Sequence, residues 1–323
     1  MRPFCTVNNT LSYSPTGDVA ARQTDYYRII GAIYLGHGFV GIPLSSLVLW
    51  SFWKSGQLKH TCYKIMALIN AFDILNLINA CVFSGLFSLF GATHCIFGLF
   101  VSYAASWQYI LWLWYSMACQ VLSLNRLIIF IQPEWAEAIF RGRRIYLWLL
   151  IVSIYGVAMF VAVPDPFYFY DPFQGANLFF RTSGQANMVL VYGNFLKTGW
   201  VTTTYLILMV RMYYNKRKTE SAAGKLPNFQ VKVTVQTLII AVLYDLCAFF
   251  YLGQSYIPFP EFLQNIAGIL GQLVWIYLHT GTAIIYILLN KSVKTEIRRI
   301  FKLDKSKTFV VTIQAASSQI AFK

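Results

Sequence analysis

The sequence predicts an all-α membrane protein: a seven-transmembrane helix bundle with a short amphipathic helix after the seventh span. Three observations predict it. The chain is 57% hydrophobic and 12% charged, whereas a soluble domain carries roughly 25% charged residues. Its charges stand apart, leaving apolar intervals long enough to cross a bilayer. Its Lys and Arg gather on alternate loops.

The intervals follow in order. A helix needs about 20 apolar residues to cross a hydrocarbon core about 30 Å thick. No charge lies between Arg28 and Lys54, which gives the first span. Between Lys64 and Arg126 there is one, Asp73, and the stretch is too long for a single crossing. It breaks at Gly91-Ala92-Thr93-His94 into spans two and three. Arg144 to Asp165 gives the fourth. Met188 to Arg211, interrupted by Lys197, gives the fifth, and Lys232 to Gly253, interrupted by Asp245, the sixth. The seventh lies between Glu261 and Lys291.

Orientation follows from Lys and Arg. Twenty-one of the 26 fall on the first, second and third inner loops and the tail. Arg2, Arg22, Arg28 and Arg181 fall on the other side. The N-terminus is therefore expected outside and the C-terminus in the cytoplasm. The net charge of +14 then suits an anionic inner leaflet rather than nucleic acid. Residues 1–25 show no continuous apolar leader segment, so the first span is expected to act as an uncleaved anchor.

The division expected is an extracellular segment over 1–27, the bundle over 28–290, an inner-surface helix over 291–303 and a flexible tail over 304–323. In the inner-surface helix Val293, Ile297, Ile300 and Phe301 recur at helical spacing, with Lys294, Arg298, Arg299 and Lys302 between them. Asn8-Asn9-Thr10 makes Asn8 a glycosylation candidate on the outer side. Of six cysteines, Cys5 and Cys95 are the two expected outside, where a bridge is permitted and the connectivity stays open.

Polar residues at membrane depth mark candidate sites. Span two carries Asn70, Asp73, Asn76 and Asn79, of which the first three share a strip facing the bundle. Lys197 is 14 residues from Arg211 and Asp245 is 13 from Lys232, so both are expected about 20 Å above the inner boundary. Two arrangements are open. The pair can face each other across the seam or jointly line a cavity; alternatively, Lys197 snorkels outward and Asp245 is protonated. Tyr103, Trp107 and Gln108 on span three, Trp200, Tyr251, Gln272 and Trp275 complete a set of aromatics and amides suited to an interhelical small-molecule pocket.

Catalytic and metal patterns do not appear. His37, His60, His94 and His279 form no metal-ligand spacing, and no nucleophile elbow, phosphate loop or dinucleotide fingerprint is present. Nothing calls for an enzyme, a metal or a cofactor.

Several segments carry a family likeness. Thr61-Cys62-Tyr63-Lys64-Ile65-Met66 followed by Asp73 resembles the start of span two in nematode serpentine chemoreceptors of class T. Leu122-Ser123-Leu124-Asn125-Arg126 resembles that family's end of span three. Phe140-Arg141-Gly142-Arg143-Arg144 with Trp148, then Tyr155-Gly156, Pro164 and Tyr170-Asp171-Pro172, keep its order. His279-Thr280-Gly281, Ile285-Tyr286 and Asn290 resemble its end of span seven.

The resemblance implies a G-protein-coupled-receptor-like chemosensory protein in the plasma or ciliary membrane of a sensory neuron. It would take an odorant-like ligand and a heterotrimeric G protein. Asp73, Asn125, Arg126 and Tyr286 become switch positions, with Arg126 at the inner mouth. The larger rhodopsin-like group has an acidic residue where Asn125 stands, and Asn125 cannot form that ion pair. Span six lacks an internal proline, and no cysteine lies between Cys119 and Cys247. The competing class is a multi-span transporter or channel for a small solute. Inverted repeats or paired broken helices would favour it, and the sequence shows neither.

Overall fold

The computed structural model describes residues 17–172, 174–183, 187–219, 228–256 and 261–301. The predicted Asn8 sequon and Cys5 lie outside them, as does the Cys95 side chain.

Helix α1 spans Gly17–Lys54 and leads through a short 3-10 turn into α2, Thr61–Leu77. A π turn over Ile78–Phe83 joins α2 to α3, Ser84–Phe90, so span two is one rod with a wider turn in its middle. Such a turn holds one extra residue and frees backbone carbonyls from the regular ladder. Here the Ala80 carbonyl accepts from Gln272 Nε2 at 3.1 Å, and the Asn79 carbonyl accepts from Ser84 Oγ at 3.3 Å. Gly31 and Gly85 let α1 close on this rod. A Cβ at Gly31 would lie 2.6 Å from the Gly85 carbonyl oxygen.

After the short α4, His94–Phe97, comes α5, Leu99–Ile131, the central helix. It packs against α2, against α7 (Arg144–Val161) and against α8 (Met188–Thr219). Helix α6, Pro133–Phe140, opens on proline at its first turn, where the missing N–H costs nothing. Only Ile145, Val152 and Gly156 of α7 are buried; most of its remaining surface is apolar, with Tyr146, Leu147, Leu150, Ile151, Ile154, Val157 and Val161 exposed. Helix α9, Asn228–Tyr256, and α10, Glu261–Leu289, close the bundle. Helix α11, Lys291–Ile300, follows, capped by the Asn290 side chain on the Ser292 and Val293 amides.

The polarity is that of a protein solvated by lipid. Phe39, Leu196 and Val161 are 84%, 77% and 73% exposed, while Asn70, Asp73, Asn76, Gln108, Gln272 and His279 are wholly buried. Among the described residues, six of the long helices are long and apolar enough to cross a membrane. The seventh in the bundle, α8, is not, because Asn194, Lys197, Thr198 and the run Thr202-Thr203-Thr204 dilute its apolar character. The seven-helix expectation therefore holds in architecture, with the fifth span the most polar.

At one end of the bundle, between α7 and α8, strands β1 (Pro166–Asp171) and β2 (Ala176–Arg181) form an antiparallel hairpin. It is a tucked-in element rather than a free loop. Tyr168, Tyr170, Ala176 and Asn177 are all at or below 4% exposure. A Cβ at Gly268 of α10 would lie 2.3 Å from the Gln174 carbonyl oxygen, so glycine there is what lets the hairpin seat.

Candidate functional site

The hairpin is tied down by polar side chains from three helices. Asn177 Nδ2 donates to Gln108 Oε1 on α5 at 2.6 Å and to Ser84 Oγ on α3 at 3.2 Å. Gln272 of α10 also donates to Ser84 Oγ, at 3.2 Å. Tyr170 OH lies 2.5 Å from Ser88 Oγ, and Tyr34 OH of α1 donates to the Gly175 carbonyl at 2.7 Å. Burial lifts the Tyr168 and Tyr170 phenols above their ordinary pKa, so both remain hydrogen-bond donors at any physiological pH.

Below the hairpin lies a narrow cleft lined by Tyr109, Trp112, Phe179, Leu190, Asn194, Tyr251 and Trp275. Its free volume is about 10 Å³, room for about one water. Its polar wall is Asn194, whose Oδ1 accepts from Trp112 Nε1 at 2.9 Å. Trp112 and Trp275 rings stand 4.7 Å apart, and Trp275 touches Tyr251 and His279 at 5.7 and 5.6 Å between centroids.

His279 is the hinge between this aromatic cluster and the strip on span two. Its Nδ1 lies 2.7 Å from Asp73 Oδ1, and neither side chain is exposed. A carboxyl–imidazole hydrogen bond at full burial has no water to replace it, so removing either member leaves the other without a partner. Asn70 and Asn76 flank Asp73 on the buried strip.

The opposite end of the bundle holds Asn125 and Arg126, at 1% and 2% exposure, with Arg126 Nη2 donating to Asn125 Oδ1 at 3.3 Å. Tyr286 is wholly buried against Phe52, 5.2 Å between ring centroids. Asn290, which caps α11, also donates from Nδ2 to Tyr63 OH on α2 at 3.0 Å. The Asn290 side chain thus locks α11 to the bundle.

Of the predicted pocket residues, the structure gathers four. Gln108 and Gln272 meet beneath the hairpin, and Tyr251 and Trp275 line the cleft. Three do not join them. Tyr103 and Trp107 are 66% and 42% exposed on the outer face of α5, where Trp107 packs edge-on against Trp114. The buried face of α5 runs through Val101, Ala105, Gln108, Trp112 and Tyr115, and the two aromatics fall off it. Trp200 is 44% exposed and donates to Ser123 Oγ on α5 at 3.1 Å, so it fastens α8 rather than lining the cleft.

Lys197 and Asp245 are not an ion pair, contrary to one of the two arrangements expected. Asp245 Oδ2 accepts from Thr202 Oγ1 at 2.8 Å, while the Lys197 ammonium lies 5.8 Å from the Tyr155 ring centre. Lys197 does not snorkel outward either; it is 2% exposed.

Several site residues were not picked out from sequence. Asn177, Ser84 and Tyr170 sit in a loop and a helix end whose pairing depends on the hairpin. His279 stands in sequence as part of the family likeness and outside any metal-ligand spacing, yet as an ionisable group inside span seven it carries the same signal that singles out Asp73.

The fold is that of the rhodopsin-type receptors. Squid rhodopsin superposes with a TM-score of 0.72 at 13% identity, over 92% of this chain and 89% of that one, a likeness of fold alone. The family model described as serpentine type 7TM GPCR chemoreceptor Srt matches residues 4–309, and the chain belongs to that family. Serpentine receptor class T-55 of Caenorhabditis elegans is 22% identical, over 97% of this chain and 88% of that receptor. The chain is thus a multi-pass membrane protein of a receptor family, as the ordered segments in its sequence implied.

Proposed function

We propose that this chain is a chemosensory receptor that binds an odorant-like small molecule in the aromatic cleft beneath the hairpin and signals through its opposite face to a heterotrimeric G protein. The observation that carries the reading is continuity. The cleft's Trp275 touches His279, and His279 bonds Asp73, so a ligand's contact reaches the polar strip of span two through two residues. A ligand acts by binding one arrangement of the bundle better than another. With so little free volume, entry must move Trp112, Trp275 or the hairpin, and that movement is the differential contact required.

The hairpin end is the outer one in this reading, with residues 1–27 extracellular and 304–323 cytoplasmic. The Lys and Arg distribution supports it. Gln108, Gln272, Tyr251 and Trp275 act in the ligand half. Asp73, Asn125, Arg126 and Tyr286 act in the switch, and α11 lies along the inner leaflet through Ile300 and Phe301.

Expression in reporter cells with an odorant panel tests the reading. Ligand-dependent signalling through a G protein is expected, with Trp275→Ala weakening it and Arg126→Ala abolishing it while ligand binding persists. Ligand-dependent current in cells lacking G protein would reject a receptor in favour of a channel.

A further inference from the structure

Lys197 is 2% exposed and its Nζ has no hydrogen-bond partner. The groups around it are apolar or aromatic: the Tyr155 ring at 5.8 Å, Gly193 and Met159. Among the described residues no carboxylate pairs with it. Asp245 of α9 accepts at Oδ2 from Thr202, which stands five residues, about 7.5 Å, further along α8, and its Oδ1 has no hydrogen-bond partner. Asp165, at the end of α7, faces Arg181 at 4.0 Å. A buried ammonium without a counter-charge costs several kcal/mol at membrane depth, so this lysine lacks the partner that a purely structural role would supply.

Its position relates it to the cleft. Leu190 and Asn194 form the α8 wall. At 100° per residue, Lys197 returns to within about 20° of Leu190, one turn beyond Asn194 on the same face. The wall is otherwise aromatic, and its one amide is already bonded to Trp112. The cleft thus offers apolar surface for a body, and Lys197 stands one turn beyond its α8 wall, with Nζ beside Gly193 and the Tyr155 ring.

We propose that the receptor's ligands are small carboxylic acids, with the apolar body among Trp112, Tyr251 and Trp275 and the carboxylate on Lys197 Nζ. The inference rests on the ligand site proposed above. Binding supplies the anion that the fold leaves out, as a charge-assisted hydrogen bond in a water-poor site.

The test uses the full chain purified in lipid nanodiscs. Its thermal unfolding is followed with octanoate and phenylacetate, and with their methyl esters as neutral controls. An acid is expected to raise the unfolding temperature of the wild type, its ester not. Lys197→Met is expected to lose affinity for the acid about ten- to a hundredfold, and Lys197→Arg to keep most of it. Without ligand, Lys197→Met is expected to unfold at the same temperature as wild type or higher, which shows that the variant folds. Failure of both acids to stabilise the wild type would overturn the inference, as would equal stabilisation by the esters or by acid in Lys197→Met. Signalling by neutral odorants alone would overturn it too while leaving the receptor reading intact. Acid binding that depends on Lys197 without any G-protein response would do the reverse.

Discussion

At the α2–α10 seam, Asp73 and His279 sit 2.7 Å apart with neither exposed. At the α8–α9 seam, Lys197 and Asp245 stand on neighbouring helices and do not pair. Both seams bring ionisable groups to membrane depth. The first is closed: acid and base share a bond, and their neighbours are Tyr115 and Trp275 rings. The second is open: the acid takes a threonine and the lysine takes nothing. A closed pair ties two helices to each other, whereas the open seam leaves a buried amine without a partner.

The largest effect is expected where the closed pair is broken. His279→Leu leaves the Asp73 carboxyl at full burial without its hydrogen-bond partner and should cost about 2–3 kcal/mol, read as a fall in unfolding temperature of the purified receptor. A His279→Leu variant as stable as wild type would show that the pair holds nothing together. Next comes the hairpin latch. Asn177→Ala removes the donor shared by Gln108 and Ser84 and should cost about 1–3 kcal/mol, with faster amide exchange over residues 166–181. If exchange there stays unchanged, the hairpin is seated by its aromatics instead.

The smallest effect is the sharpest comparison. In a double-mutant cycle, Lys197→Met and Asp245→Asn should couple by less than about 0.5 kcal/mol. Asp245→Asn alone should cost under about 1 kcal/mol, since its amide oxygen still accepts from Thr202. Coupling well above that would mean the two charges do sense each other, and would make the second seam another closed pair.

Lys197 and Asp245, whose arrangement the sequence leaves open, show what spacing along a helix can and cannot supply. Heights were counted from Arg211 and Lys232, the charges expected to mark one membrane boundary. Helix α8 runs on to Thr219 and α9 begins at Asn228. Counted from those ends, Asp245 stands 17 residues into α9, and the residue 17 before the end of α8 is Thr202. Thr202 is Asp245's partner. Flanking charges mark a membrane boundary only to within a turn or more, because long basic side chains reach out from helices of unequal length.

Within a single helix the periodicity was reliable. Asn70, Asp73 and Asn76 all face inward. Where two helices had to be rotated against each other, as for Tyr103 and Trp107, residue type said little, because aromatics serve lipid and core alike. The hairpin was beyond reach for a different reason. Its strands are held by contacts to α1, α3, α5 and α10, none of them close in sequence.

The π turn over Ile78–Phe83 carries one consequence for how such a receptor can change. Its added residue sets the phase between the two halves of span two. Asp73, before it, faces His279; Ser84 and Ser88, after it, face the hairpin. Deleting a single residue there would turn everything beyond it by about 100°, swinging both serines off Asn177 and Tyr170 while leaving the Asp73 strip in place. Length changes in this turn would therefore reshape the hairpin side of span two while leaving the Asp73 side in place.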